Sequence, residues 1–144
     1  MPAPLAHPVA HLQSLYAAFG RGDIATILAA LHDQVDWRIN VDLSAPGAAA
    51  VPTFKPRRGP REVGLFFADL TAAVEIHSFQ PTSFLAGDGD AAVHIEMEFT
   101  VRHNGRRLKM EAMHYHKFDA AGKIVRFVDF LDTLGDAAAW GSVK

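Results

Sequence analysis

Apolar residues open the chain at helical spacing. Val9, Leu12, Leu15, Tyr16 and Phe19 recur every three or four positions, which predicts an amphipathic helix ending near Gly20 and Gly22. Asp23 is a suitable N-cap for a second helix with Ile24, Ile27, Leu28 and Leu31 on one face. The period then changes. Val35, Trp37, Ile39 and Val41 alternate with Asp36, Arg38, Asn40 and Asp42, the pattern of a strand with one dry face. Residues 43–58 are rich in Ala, Pro and Gly and have no period. A loop of this length in a compact domain is usually functional or mobile, and it is expected to lie over or beside a pocket mouth. Pro60 opens a third helix with Val63, Phe66, Phe67, Leu70 and Val74 on one stripe. A strand over 76–86 contains Pro81, hence an edge or a bulge. Strands over about 92–103, 106–118 and 123–132 follow, with a short helix near 136–140.

Helices in the first half and hairpin-connected strands in the second read as an α+β fold. The expected form is a cone: a curved, mostly antiparallel sheet wrapped over three helices, one domain spanning 1–144.

The turns give a register. Asn104-Gly105 is a two-residue hairpin signal that pairs His103 with Arg106, Ile95 with His114 and Met97 with Ala112. The turn over 119–122 puts Phe118 opposite Lys123, His114 opposite Phe127 and Ala112 opposite Asp129. By parity, one face collects Val93, Ile95, Met97, Phe99, Val101, Met110, Ala112, His114, His116, Val125, Phe127, Asp129 and Leu131. Three polar residues stand out on that apolar face. His114 and Asp129 are diagonal neighbours within side-chain reach, and an Asp that holds an imidazole sets its tautomer for proton transfer near neutral pH. A satisfied buried pair is the plainer alternative. His116 lies nearer the turn and reads as structural or partly exposed, Trp37 as a core filler, and Tyr16 as a core residue of the first helix.

Composition narrows the function. Apolar residues make up 49% and charged residues 21%, with net charge −2. That leaves no electrostatic footprint for nucleic acid. The short basic cluster Lys55, Arg57, Arg58 and Arg61 reads as a solvated helix entry. There is no Cys, so disulfides, thiolate chemistry and Cys-bound zinc are excluded. No bilayer-length apolar run and no leader pattern is visible, and a cytoplasmic protein without membrane partners is expected.

Longer stretches carry a resemblance. Leu15-Tyr16 with Phe19, Gly22-Asp23-Ile24, Leu31-His32-Asp33, Val35-Asp36-Trp37-Arg38, the run 58–63, Gly122–Phe127 and Phe130–Thr133 resemble SnoaL-like, ketosteroid isomerase-related members of the nuclear transport factor 2-like superfamily. The resemblance implies that fold, with a mostly apolar pocket. The Tyr, Asp and late-strand Asp of the ketosteroid isomerases would fall at Leu15, Ile39 and His114, and all three are changed. Limonene epoxide hydrolases need a pocket Arg, and in this register none faces the pocket. The His–Asp pair of the SnoaL-type polyketide cyclases is similar to His114 and Asp129, while Trp37 and Ala112 stand where the cyclases carry amides.

The resulting expectation is an acid/base isomerase, cyclase or related lyase or hydrolase acting on a small apolar carbonyl compound. His114 and Asp129 would be catalytic. Leu15, Tyr16, Trp37, Ile39, Phe54, Phe66, Met97, Phe99, Val101, Met110, Ala112, His116, Phe127 and Leu131 would line the pocket. No nucleotide loop, flavin motif or metal signature is present, so no cofactor is implied. The alternatives are a non-catalytic binder of a small ligand and a metal site on His114, His116 and Asp129. A homodimer is expected through the outer sheet face, where Met113, Tyr115, Val128 and Phe130 form an apolar patch.

Overall fold

A computed structural model describes residues 7–143. Helix α1 (Pro8–Gly20) starts with Pro8 in its first turn, where a missing N–H is harmless. Asp23 caps α2 (Ile24–Ala29) by accepting from the Thr26 N–H at 3.2 Å. The second helix is shorter than the apolar spacing predicts, because Leu31 already belongs to strand β1 (Leu31–Ile39). Strand β2 (Arg57–Arg58), helix α3 (Gly59–Ala73), strands β3 (Val74–Ala86), β4 (Asp90–Val101), β5 (Arg107–Phe118) and β6 (Ile124–Leu131), and helix α4 (Thr133–Trp140) follow. Gly59 has φ 81°, and a Cβ there would sit 2.9 Å from the Asp33 carbonyl oxygen, so this turn into α3 requires glycine.

The six strands form one curved sheet in the order β2-β1-β6-β5-β4-β3. All neighbours are antiparallel except β1 and β6, which run parallel and place Trp37 beside Phe127 and Ile39 beside Asp129. The edge strand β3 changes register on either side of Pro81. Inward residues of α1, α2, α3 and the sheet share one core, including Leu12, Ile27, Val63, Phe66, Val93, Ile95 and Phe127.

Both hairpins depart from the expected register. Val101, not His103, bonds with Arg106, and His114 faces Val93 rather than Ile95. Asn104 is the reason: its Oδ1 accepts from the Arg106 N–H and its Nδ2 donates to Ala139 in α4, so it works as a tether in a longer loop closed by Gly105 at φ 72°. In the second hairpin Asp119 Oδ1 accepts from the N–H groups of Ala121 and Lys123, and Phe118 pairs with Ile124. A bulge then sets Val125 aside, so Ile124 enters the core in its place. Beyond the bulge each slip is of two residues, so apart from the exchange of Val125 for Ile124 the two faces of the sheet keep their residues, but His114 now stands directly opposite Asp129 instead of diagonal to it.

The long segment after β1 is better anchored than its composition suggests. Two 3-10 turns, Ala48–Ala50 and Pro52–Phe54, bury Ala48, Val51 and Phe54 against Ile39 and Ala137. Arg57 is buried rather than solvated. It donates to Asp69 in α3 at 2.7 Å and to the carbonyls of Pro52 and Lys55. On the outer face Val128 is buried while Phe130 is 46% exposed, so the expected apolar patch is reduced. No helix among the described residues is long and apolar enough to cross a membrane.

Candidate functional site

The concave face of the sheet and the helices enclose a cavity of about 140 Å³. That is comparable to an engineered cavity that accepts one benzene molecule. Its wall is almost wholly apolar. Tyr16 and Phe19 come from α1, Phe66 and Phe67 from α3, Trp37 from β1 and Phe127 from β6, with Trp37 stacked on Phe127 at 3.9 Å between ring centres. Ile76, which is 41% exposed, marks the mouth beside Glu98.

Of the residues expected to line a pocket, Leu15, Tyr16, Trp37, Ile39, Phe66, Met97, Phe99, Met110, His114, His116, Phe127, Asp129 and Leu131 do so. Three lie elsewhere. Phe54 is held in the separate cluster around Val51 and Ile39, Val101 packs with Val74 and Ala139, and Ala112 is buried in β5 without lining the cavity.

The polar residues of the wall form a connected group. His114 Nε2 and Asp129 Oδ2 are 3.3 Å apart, close enough for an ion pair but out of line for a hydrogen bond. The other nitrogen of His114, Nδ1, is 2.6 Å from the Tyr16 hydroxyl, which is also 2.9 Å from Nε2 of His116. His116 is thus neither exposed nor idle. It is 4% exposed and bonded to the first helix.

Electrostatics sets the direction of the protons. Burial, then the charges of His114 and His11, lower His116 to about 3, so it is neutral. Burial, then the charge of Asp129, raise Tyr16 well above its ordinary value, so it keeps its proton. With Asp129 as carboxylate and His114 neutral, Nε2–H of His114 faces Asp129 and Nδ1 accepts from the Tyr16 hydroxyl. The Tyr16 oxygen then accepts from Nε2–H of His116, leaving His116 Nδ1 as a bare acceptor, and that atom has no partner.

Two further features escape sequence reasoning. Asp129 Oδ1 and Trp37 Nε1 are buried without partners. Asp136, in the first turn of α4, also lines the cavity, and its Oδ1 accepts from Trp140 Nε1 at 3.0 Å. Burial raises Asp136 to about 7, the charges of Asp129 and Asp132 add to this, and the bond from Trp140 opposes it. Asp132 as N-cap, with Asp136, Ala137 and Trp140 spaced along one helical stripe, was the available signal for it. The two imidazoles converge on Tyr16 rather than on a shared point, and the described residues hold no metal-binding cluster of three His, Cys, Asp or Glu.

Solved structures reproduce this architecture. An NTF2-like protein of unknown function from Burkholderia pseudomallei K96243 is 24% identical, with TM-score 0.80, covering 94% of this chain and 98% of that one. TerC, co-crystallised with polyporic acid, is 20% identical with TM-score 0.78, covering 95% and 100%. A steroid delta-isomerase from Pseudomonas aeruginosa is 20% identical with TM-score 0.66, covering 98% and 90%. At these identities the likeness is one of fold. A search of curated proteins by sequence finds no match. The model of the SnoaL-like domain matches residues 12–127, most of the chain; it takes in β1 to β5 and the first half of β6, and ends before Asp129, Leu131 and Asp136 of the cavity wall. The chain belongs to the SnoaL-like domain family.

Proposed function

We propose that the protein is an acid/base enzyme that moves a proton on a small, largely apolar carbonyl compound held in the cavity, without a cofactor. The observation that carries this reading is the state of Asp129. One oxygen faces His114, whose far nitrogen is fixed by Tyr16, and the other is buried without a partner, in a residue that lines an apolar cavity. An unpaired carboxylate oxygen in such a place costs stability, and a substrate C–H or O–H beside it would supply the missing partner. Asp129 is then the base, and His114 orients it. That TerC, a protein of the same fold, was co-crystallised with polyporic acid supports an organic ligand.

The test is isotope exchange. Cyclohexanone incubated with the protein in D₂O should gain deuterium beside its carbonyl faster than in buffer, with a rate that rises as the base is freed of its proton. A second reading, a binder without catalysis, is favoured by the fact that Nδ1 of His114 is already bonded to Tyr16 while its Nε2 lies against Asp129. Saturable binding of cyclohexanone without exchange would select it. We also propose that two copies pair through the outer sheet face, with Phe130 between Met113 and the neighbouring edge of the patch.

A further inference from the structure

Three carboxyl side chains line one cavity, Glu98 at its mouth and the buried Asp129 and Asp136, and among the described residues no Lys or Arg lines it with them. Like charges that share an apolar site cannot both ionise cheaply. His114 cannot serve both, because its nitrogens face Asp129 and Tyr16. Asp136 is only 5% exposed and has one oxygen occupied by Trp140. Its Oδ2 has no hydrogen-bond partner among the described residues, and the residue lines the same cavity as Asp129. The charges that face it are Asp129 from β6 and Asp132 from the turn before α4. Arg106, from the β4–β5 loop, bonds the Ala138 carbonyl.

We infer that Asp136 is the acid of this site, a neutral carboxyl that donates from Oδ2 to the oxygen of a one-ring ketone while Asp129 takes a proton from the carbon beside that carbonyl. The inference rests on the acid/base reading above and deepens it. The class of ligand follows from two features: a cavity that matches a single ring, and a donor paired with an acceptor on its wall. In the step, the C–H electron pair becomes a C=C bond and the carbonyl π pair moves onto oxygen. That oxygen takes the Asp136 proton. The ligand leaves as the enol, Asp129 as the neutral acid and Asp136 as the carboxylate, and reversal restores all three. The titration of Asp136 near neutrality lets it give and regain that proton at working pH.

The experiment follows the carboxyl ¹³C signals of the intact protein from pH 5.5 to 8.5, with the Asp136 signal identified through Asp136→Asn. Binding of cyclohexanone and of cyclohexylamine is measured alongside. The expected result is an Asp136 midpoint near 7 that moves up with cyclohexanone, and cyclohexanone affinity roughly 30-fold lower at pH 8.5 than at pH 6, the loss of a ligand that takes only the protonated form. In Asp136→Asn that pH dependence should vanish, since an amide donates at every pH, and exchange into cyclohexanone should slow. Tighter binding of cyclohexylamine above pH 7 than of cyclohexanone below it would overturn the proposal in favour of a cation site. Exchange that depends on Asp129 but is unchanged in Asp136→Asn would overturn the role of Asp136 and leave the acid/base reading standing. Failure of cyclohexanone to bind at any pH would overturn the ligand class.

Discussion

The Tyr16 hydroxyl stands 2.6 Å from Nδ1 of His114, and this contact ties the first helix to the middle of the sheet. Because the same oxygen reaches His116, one hydroxyl proton decides the tautomers of two buried imidazoles. Replacing Tyr16 with Phe keeps the ring packing against Phe79 and Phe84 but strands both nitrogens. The expected cost is about 1–3 kcal/mol by urea denaturation. In the native protein ¹⁵N correlation spectra at pH 6 should show His116 neutral with its proton on Nε2. A proton on Nδ1 would mean that the chain of bonds runs the other way.

The pH dependence of stability separates the two most perturbed groups. Asp136 is raised to about 7 from 3.8, so its contribution is full below about 4 and is lost as pH rises through 7. His116 is lowered to about 3 from 6.5, so its contribution is full above 6.5 and is lost as pH falls through 3. Between about 4 and 6.5 the two slopes oppose each other. Asp136→Asn should therefore make stability climb with pH relative to the native protein, by about 1.4 kcal/mol per unit at most, and His116→Gln should make it fall by a similar amount. Chemical denaturation at pH 4.5, 5.5 and 6.5 reads both signs, and parallel curves for the native protein and either variant would contradict the assignment.

Phe127 closes the cavity from the sheet side, buried between Trp37 and the two histidines. Phe127→Ala should cost about 3–5 kcal/mol. A loss under about 1 kcal/mol would show that this wall can collapse and is not the rigid surface a bound ring would need.

Pairing through the outer sheet face is open to a direct measurement. Light scattering at micromolar concentration should give twice the mass of one chain, and Phe130→Glu should halve it. A monomer at that concentration removes the dimer from the account.

The alternation of Val93, Ile95, Met97 and Phe99, and the stripes Leu12–Leu15 and Val63–Phe66, made the layers readable in sequence, because burial of one face is a periodic property. Parity carried His114, His116 and Asp129 to the inner face even though both hairpins were mispaired. The exact pairing was hidden because it depends on what Asn104 and Asp119 do with their side chains: each forms a local cap that a dipeptide pattern does not encode. Tyr16 looked like one more apolar stripe residue, since a hydroxyl leaves no trace in periodicity, and its partners are about a hundred residues away in sequence. Asp136 was missed because α4 was read as starting at that residue rather than at Thr133, which hid its place on the inward stripe.

The central claim is that Asp129 takes a proton from the ligand, and Asp129→Asn tests it most directly because the amide keeps shape but cannot act as the base. Deuterium exchange into cyclohexanone should fall by roughly 10²–10⁴, with stability unchanged or raised because a buried carboxylate no longer has to be accommodated. Exchange at the native rate, or a variant that unfolds a few kcal/mol more easily while binding cyclohexanone as before, would contradict it and leave the His114–Asp129 pair as a structural contact.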